Sequence, residues 1–322
     1  MKLNKEHDLI KYRKDILDTK SKSFCGAKWY NATTWLGSGT TASCHHPPAH
    51  KIPLHEIAAD PSAIHNTQHK KAMRKMMQRG ERPRECEYCW KVEDMGNDAV
   101  SDRVFKSIIY TNEDLKKAHE ADFNDNTLLK TFEIAFDRTC NLACSYCNSS
   151  FSTTWAKDIK KHGPYQNMVS DGAAAFQHDG AWADPYGKKE ENPYVTAFWD
   201  WWEDGLSESL EELRVTGGEP LMSDQVWKLF DWFENNPSDM RFAVNSNLIA
   251  KESIVDRLIE KSKGVEKFHL YTSCEATGKQ AEYIRDGLDY ELWTNNITRF
   301  IKEGNYEGIN IMMTINSLCL FS

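Results

Sequence analysis

Three thiols within eight residues, Cys140-Asn-Leu-Ala-Cys144-Ser-Tyr-Cys147, are the groups in this chain whose type and spacing point most directly to chemistry. Three thiolates on one short loop suit a four-iron cluster, each holding one iron and leaving the fourth open to an outside ligand, whereas a closed cluster takes four. In a chain of 322 residues with nine cysteines, chance produces a C-x3-C-x2-C run with a probability of roughly 0.007. A structural zinc site is the competing use of the same thiols. Cys25, Cys44 and the pair Cys86-x2-Cys89 form a second set of four, enough for a closed zinc or iron-sulfur centre. His45, His46 and His50 are alternative zinc ligands, though beside prolines they read as loop residues. Cys274 reads as an inert buried thiol, and Cys319 has no assigned role. Grouped thiols in odd number do not make a disulfide framework. The N-terminus lacks an apolar signal core and no run of about 18 apolar residues occurs, so a cytoplasmic, reducing setting is expected.

The elements that would position these thiols follow from periodicity. From Leu128 onward short apolar runs alternate with amphipathic ones. Strands are predicted at 131–137, 212–216, 241–245, 267–273 and 310–315, and helices at 151–161, 196–205, 225–235, 251–263 and 290–303. This cadence predicts an α/β fold with parallel strands and helical crossovers, with the Cys140 loop at the C-terminal end of the first strand. Residues 162–195 read as an insertion, and the chain ends directly after its fifth strand, as a fragment or an unusual C-terminus would. Before residue 105, 18 Lys and Arg face 13 Asp and Glu; after it, 22 face 35. The acidic part would repel phosphates, so nucleic acid is not an expected partner there. The predicted layout is a cysteine-rich irregular domain over 1–105, a connector over 106–127 and the α/β domain over 128–322. A helix over 4–20 is expected to be peripheral. Another, over 66–79, is expected to turn Ala72, Met73, Met76 and Met77 one way and Lys70, Lys71, Arg74, Lys75 and Arg79 elsewhere, as a solvated basic face. The aromatic run 198–202 reads as helix-to-barrel packing.

The Cys140 loop resembles the signature of the radical SAM superfamily, including the aromatic Tyr146 before the last cysteine. Gly217-Gly218-Glu219-Pro220 matches that family's GGEP motif, and Val244-Asn245-Ser246-Asn247 is similar to its polar third-strand end. Thr272-Ser273-Cys274-Glu275 resembles the fourth, with Glu275 where relatives commonly carry Asp, and Arg285 follows twelve residues after Ser273. The resemblance runs from about 131 to 316 and implies a partial (β/α)6 TIM-like barrel. It also implies a 4Fe-4S cluster on Cys140, Cys144 and Cys147, and S-adenosylmethionine bound by Tyr146, Gly217, Gly218, Glu219, Asn245, Asn247, Ser273 and Arg285. Glu219 would accept from the methionine amine and Arg285 would meet the carboxylate. Glycines 217 and 218 would let backbone approach the ligand. Asn245, Asn247 and Ser273 have local strand-end bonding as their competing reading, and Arg285 a surface ion pair with Asp286 or Glu282.

The spacing C-x13-G-x4-C from Cys25 through Gly39 to Cys44, closed by Cys86 and Cys89, resembles the SPASM and twitch auxiliary-cluster domains, here placed before the barrel. That resemblance implies an auxiliary 4Fe-4S cluster, with zinc as the alternative. The implied activity is reductive cleavage of S-adenosylmethionine to a 5′-deoxyadenosyl radical for hydrogen abstraction. A peptide or protein is the implied substrate, with a small molecule next, and an electron donor such as flavodoxin or ferredoxin is the implied partner, without a membrane. The rival hypothesis is a zinc-stabilised binding module on an inactive barrel, gripping nucleic acid or an acidic protein through the basic run 70–84.

Overall fold

The computed structural model describes residues 6–96, 98–168, 175–187 and 191–321; parts of the predicted N-terminal helix and of the 162–195 insertion lie outside them. The chain divides into two compact units. One takes the described residues up to Thr34, Gly39–Phe132 and Pro193–Leu210; the other takes Trp35–Ser38 and the described residues of Glu133–Asn192 and from Glu211 on. No helix among the described residues is long and apolar enough to cross a membrane.

The first unit builds its core from both ends of its sequence. The helix Glu6–Tyr12 and the wide turn Arg13–Leu17 send Leu9 and Leu17 into a cluster with Phe24, Trp29, Met77, Trp90, Val104 and Leu115. This segment is therefore anchored, not peripheral: two apolar side chains a little over two turns apart are enough to bury one stripe. Strands β1 (Asn31–Trp35), β2 (Thr40–Ala42) and β3 (His50–Lys51) lie side by side in that order, β2 and β3 antiparallel. Within the span expected as a connector lies a helix, Asn112–Glu120, which buries Leu115 and Ala118. Its start is a capping box in which Thr111 and Asp114 satisfy each other's backbone N–H groups.

The helix Gln68–Gln78 corrects the expected solvated basic face at two positions, while Arg79, Arg82 and Arg84 stay exposed. Its inward residues are Lys70, Arg74 and Met77, while Ala72 is exposed. The cations turn inward because neutral acceptors wait for them. Lys70 Nζ donates to Thr41 Oγ1 at 2.8 Å and to Ala42 O at 3.1 Å, and Arg74 donates to Lys28 O and Asn66 Oδ1, each at 3.0 Å. Buried cations contact no partner molecule, so the rival binding module loses two of its basic residues.

His65 lies between these cations, with Nδ1 3.4 Å from Lys70 Nζ and Nε2 2.7 Å from Arg74 Nη2 and from Trp29 O. Burial first, then Lys70 and Arg74, hold its pKa well below the usual histidine range, and burial with Lys70 brings His50 to about 3. A depressed pKa means that unfolding takes up a proton once the pH falls below the unfolded value. The stability this represents is complete above pH ~6.5 and declines as the pH drops towards the folded values. Each histidine is expected to cost about 1.4 kcal/mol per pH unit in that window. Urea unfolding at pH 7 and pH 5.5 should show the loss, and a His65→Gln variant should show a shallower pH dependence.

The helix Pro193–Trp201 belongs to this first unit. Phe198, Trp201 and Trp202 are buried, Phe198 lies 6.2 Å from the Phe132 ring, and Tyr194 OH donates to Ile52 O at 3.0 Å. Its aromatic run therefore packs both on Phe132 of strand β4 (Thr131–Ala135), the strand next to Glu212–Thr216, and on N-terminal elements such as the Ile52 segment. Gly39 has φ +63°, and a Cβ there would come within 2.1 Å of the Tyr194 ring, so both backbone and packing demand glycine.

The second unit is mixed α/β with a mostly parallel sheet. Strands β4 (Thr131–Ala135), β6 (Glu212–Thr216), β7 (Arg241–Ser246), β8 (Phe268–Ser273) and β10 (Gly308–Met312) neighbour one another in chain order; the short β5 (Ala143–Cys144) and β9 (Arg285–Asp286) pair separately. Parallel ladders join β6 to β7, β7 to β8 and β8 to β10. Helices Asp224–Asn235, Glu252–Ser262 and Tyr290–Glu303 supply the crossovers parallel strands require. Phe230, Phe233, Phe242, Phe268 and Phe300 fill the layer between, with ring centroids 4.8–6.0 Å apart. Because successive strands add in order, their C-terminal ends fall along one edge.

Candidate functional site

That edge gathers most of the residues singled out in the second unit. The cysteine loop leaves β4, runs through β5 and enters the helix Thr153–His162, capped by Ser152. Hydroxyls at the start of this helix hold the loop: Thr153 Oγ1 and Thr154 Oγ1 donate to Cys140 O at 3.1 and 2.7 Å, and Ser152 Oγ donates to Leu142 O at 2.7 Å. Trp155 Nε1 donates to Cys144 O at 2.9 Å. Sequence reasoning passed over all four, although a hydroxyl cluster directly after a ligand loop is a visible signal. Burial raises the pKa of each of the three thiols, Cys147 to about 12, while the neighbouring Arg285 pulls Cys144 the other way.

The two glycines serve the protein's own backbone. Gly217 has φ +122°, and a Cβ on Gly218 would lie 2.2 Å from Thr139 O and 2.6 Å from Arg138 C. The close approach they allow in the protein itself is to the cysteine loop. Gly218→Ala should displace Thr139, whose carbonyl also accepts from Glu219 N at 2.6 Å. A cost of about 1–3 kcal/mol is expected. Gly96→Ala, where a Cβ meets nothing within 4 Å, is the neutral control. Both are read by denaturant unfolding.

Glu219 is buried, with three hydrogen bonds already made. It accepts from Ser246 Oγ at 2.7 Å, Asn247 N at 2.7 Å and Leu221 N at 3.1 Å. A carboxylate offers about four acceptor sites, so one is left for an outside donor. Burial raises its pKa despite those bonds. Asn247 also donates through Nδ2 to Asn141 Oδ1 at 2.9 Å, tying the third-strand end to the cysteine loop. The next residue, Leu248, holds φ +55° while fully buried, a strain that sequence cannot reveal. Asn245 presents a buried Oδ1 that has no hydrogen bond among the described residues. Ser273 ends β8, half-buried, opposite Met312 in the ladder.

Arg285 stands opposite Cys144 in the β5–β9 pair. It is buried, and its carboxylate partner is Glu275, with Nη1 to Oε1 at 3.7 Å, not the surface residues Asp286 or Glu282. Tyr146 OH donates to the same Glu275 oxygen at 2.8 Å, and the Arg285 guanidinium carbon is 6.0 Å from the Tyr146 ring centre. Arg285 Nε and Nη1 make no hydrogen bond among the described residues. Glu275, noted in the sequence only as a departure from the family's Asp, thus joins Tyr146, Arg285 and the Cys144 strand.

In the first unit Cys25, Cys44, Cys86 and Cys89 line one cavity with Lys28, His46, Asp102 and Arg103. Burial raises Cys44, Cys86 to about 12 and Cys89 to about 11. His46 Nε2 lies 2.5 Å from Asp102 Oδ2 and its ring stacks on Tyr88; His50 Nε2 bonds Thr67 Oγ1 at 2.9 Å. All nine cysteines are free thiols, and among the described residues no three His, Cys, Asp or Glu side chains converge closely enough to hold a metal ion as they stand.

No family model and no curated protein matches the sequence. Among solved structures, that of Streptococcus suis SuiB is similar, with a TM-score of 0.37 and 15% identity over 77% of this chain and 49% of that one. The chain thus spans about half the length of the structure it matches.

Proposed function

We propose that this chain is a radical SAM enzyme, holding a 4Fe-4S cluster on Cys140, Cys144 and Cys147 and an auxiliary one on Cys25, Cys44, Cys86 and Cys89. The sequentially ordered sheet is read as the wall of a partial barrel and the first unit as a twitch-like domain. The observation that carries the reading is the meeting of the three-thiol loop with Glu219, Asn247 and Arg285, which come from other strand ends. A four-iron cluster takes one thiolate per iron, so its ligands need not meet at a single point. The donor chemistry fits: three thiols, one spare acceptor site on Glu219, and buried N–H groups of Arg285 without hydrogen bonds.

In this reading Glu219 accepts from the methionine amine, and Asn245, with its unmatched Oδ1, faces the remainder of the cofactor. Arg285 meets the methionine carboxylate with its spare N–H groups while keeping Glu275 as its buried counter-charge. Tyr146 and Glu275 fix the loop around Cys144. Reductive cleavage of the sulfonium, giving a 5′-deoxyadenosyl radical that removes a substrate hydrogen, is the chemistry that the reduced cluster and S-adenosylmethionine supply together. The substrate is read as a peptide or protein, and the electron as delivered by a flavodoxin or ferredoxin.

Metal analysis of chain purified without oxygen and reconstituted with iron and sulfide tests the assignment. About eight irons and no zinc per chain are expected. About four irons with one zinc would make the first unit's centre structural, and zinc without iron would overturn the enzyme.

A further inference from the structure

The four-cysteine cavity has a cationic wall. Lys28 lines it together with Cys25, Cys44, Cys86 and Cys89 and is only 2% exposed. Its ammonium pairs with Glu85 Oε1, and the other oxygen of that carboxylate lies 2.6 Å from His69 Nε2. The backbone carbonyl of Lys28 accepts from Arg74 Nε at 3.0 Å, so the residue is held at both ends. A buried ammonium on a cavity wall of thiols is in position to act on whatever charge those thiols carry.

We propose that Lys28 sets the reduction potential of the thiolate-bound iron-sulfur centre in this cavity, with Glu85 as its opposing charge. The proposal rests on the reading of these four thiols as ligands of such a centre. A nearby positive charge stabilises the form that carries the extra electron, so its removal makes reduction less favourable. Loss of the Glu85 charge acts in the opposite sense.

The test uses the 322-residue chain carrying Cys140→Ala, Cys144→Ala and Cys147→Ala, reconstituted with iron and sulfide so that one centre remains, and titrated potentiometrically by electron paramagnetic resonance. Lys28→Met is expected to make reduction about tenfold less favourable, a shift of about 59 mV to lower potential for a one-electron couple. Lys28→Arg should stay near the parent, and Glu85→Gln should shift upward. Should Lys28→Met fail to fold, the latter two variants decide. Unchanged midpoints at full iron content would overturn the proposal and leave the iron-sulfur reading standing. A parent that retains zinc and no iron would overturn that reading, and the proposal with it.

Discussion

Cys144→Ala is expected to abolish 5′-deoxyadenosine formation and to lower reconstituted iron from about eight to about four per chain. The substitution removes only the sulfur. The strand pairing of residue 144 with Arg285 and the bond from Trp155 Nε1 both run through its backbone and survive. The fold should therefore hold while the loop is left with two thiols, too few to keep three irons. The remaining iron should belong to the first unit, so its spectrum should match that of the triple-alanine chain. Unaltered deoxyadenosine formation in Cys144→Ala would remove the loop from the chemistry.

Arg285→Leu carries the largest expected effect on stability. It strips the buried Glu275 carboxylate of its guanidinium partner at 3.7 Å, an ion pair that the neutral donors Tyr146 OH at 2.8 Å and Thr314 N at 3.4 Å do not replace. Removing one member of a buried ion pair costs about 3–5 kcal/mol, readable as a lower urea midpoint in the metal-free chain. Replacing both members with apolar residues should recover more than half of that loss, since no uncompensated charge is then buried. A single-variant cost below about 1 kcal/mol would mean that the pair behaves as a solvated surface contact.

Much of the second unit was legible because apolar period and strand-end polarity are local signals. Strand Glu212–Thr216 and helix Tyr290–Glu303 fall where the pattern put them, and the other strands of the main sheet differ by one to three residues at their ends. What stayed hidden depends on partners distant in sequence. Lys70 and Arg74 look like solvent residues until Thr41, Ala42 and the Lys28 carbonyl appear beside them. That the cysteine loop packs against Gly217 and Gly218 is likewise invisible in their motif. Helix Asn112–Glu120 is polar enough to pass for a connector, and only its Thr111–Asp114 cap announces it. The aromatic run 198–202 follows helical rules, but nothing local says which rings and backbone groups it meets, Phe132 among them. At the site, motif order brought out the thiols, Glu219, Asn247 and Arg285, whereas Ser152, Thr153, Thr154 and Trp155 enter only through their hydrogen bonds, which also give Ser246 and Glu275 their partners.

The central claim is reductive cleavage of S-adenosylmethionine at the Cys140 loop. It is tested most directly by incubating the reconstituted chain, without oxygen, with S-adenosylmethionine and dithionite and quantifying 5′-deoxyadenosine by mass spectrometry. Formation of 5′-deoxyadenosine by the parent chain and none by Cys144→Ala is the result predicted. No 5′-deoxyadenosine from a chain that holds its full complement of iron would contradict the account.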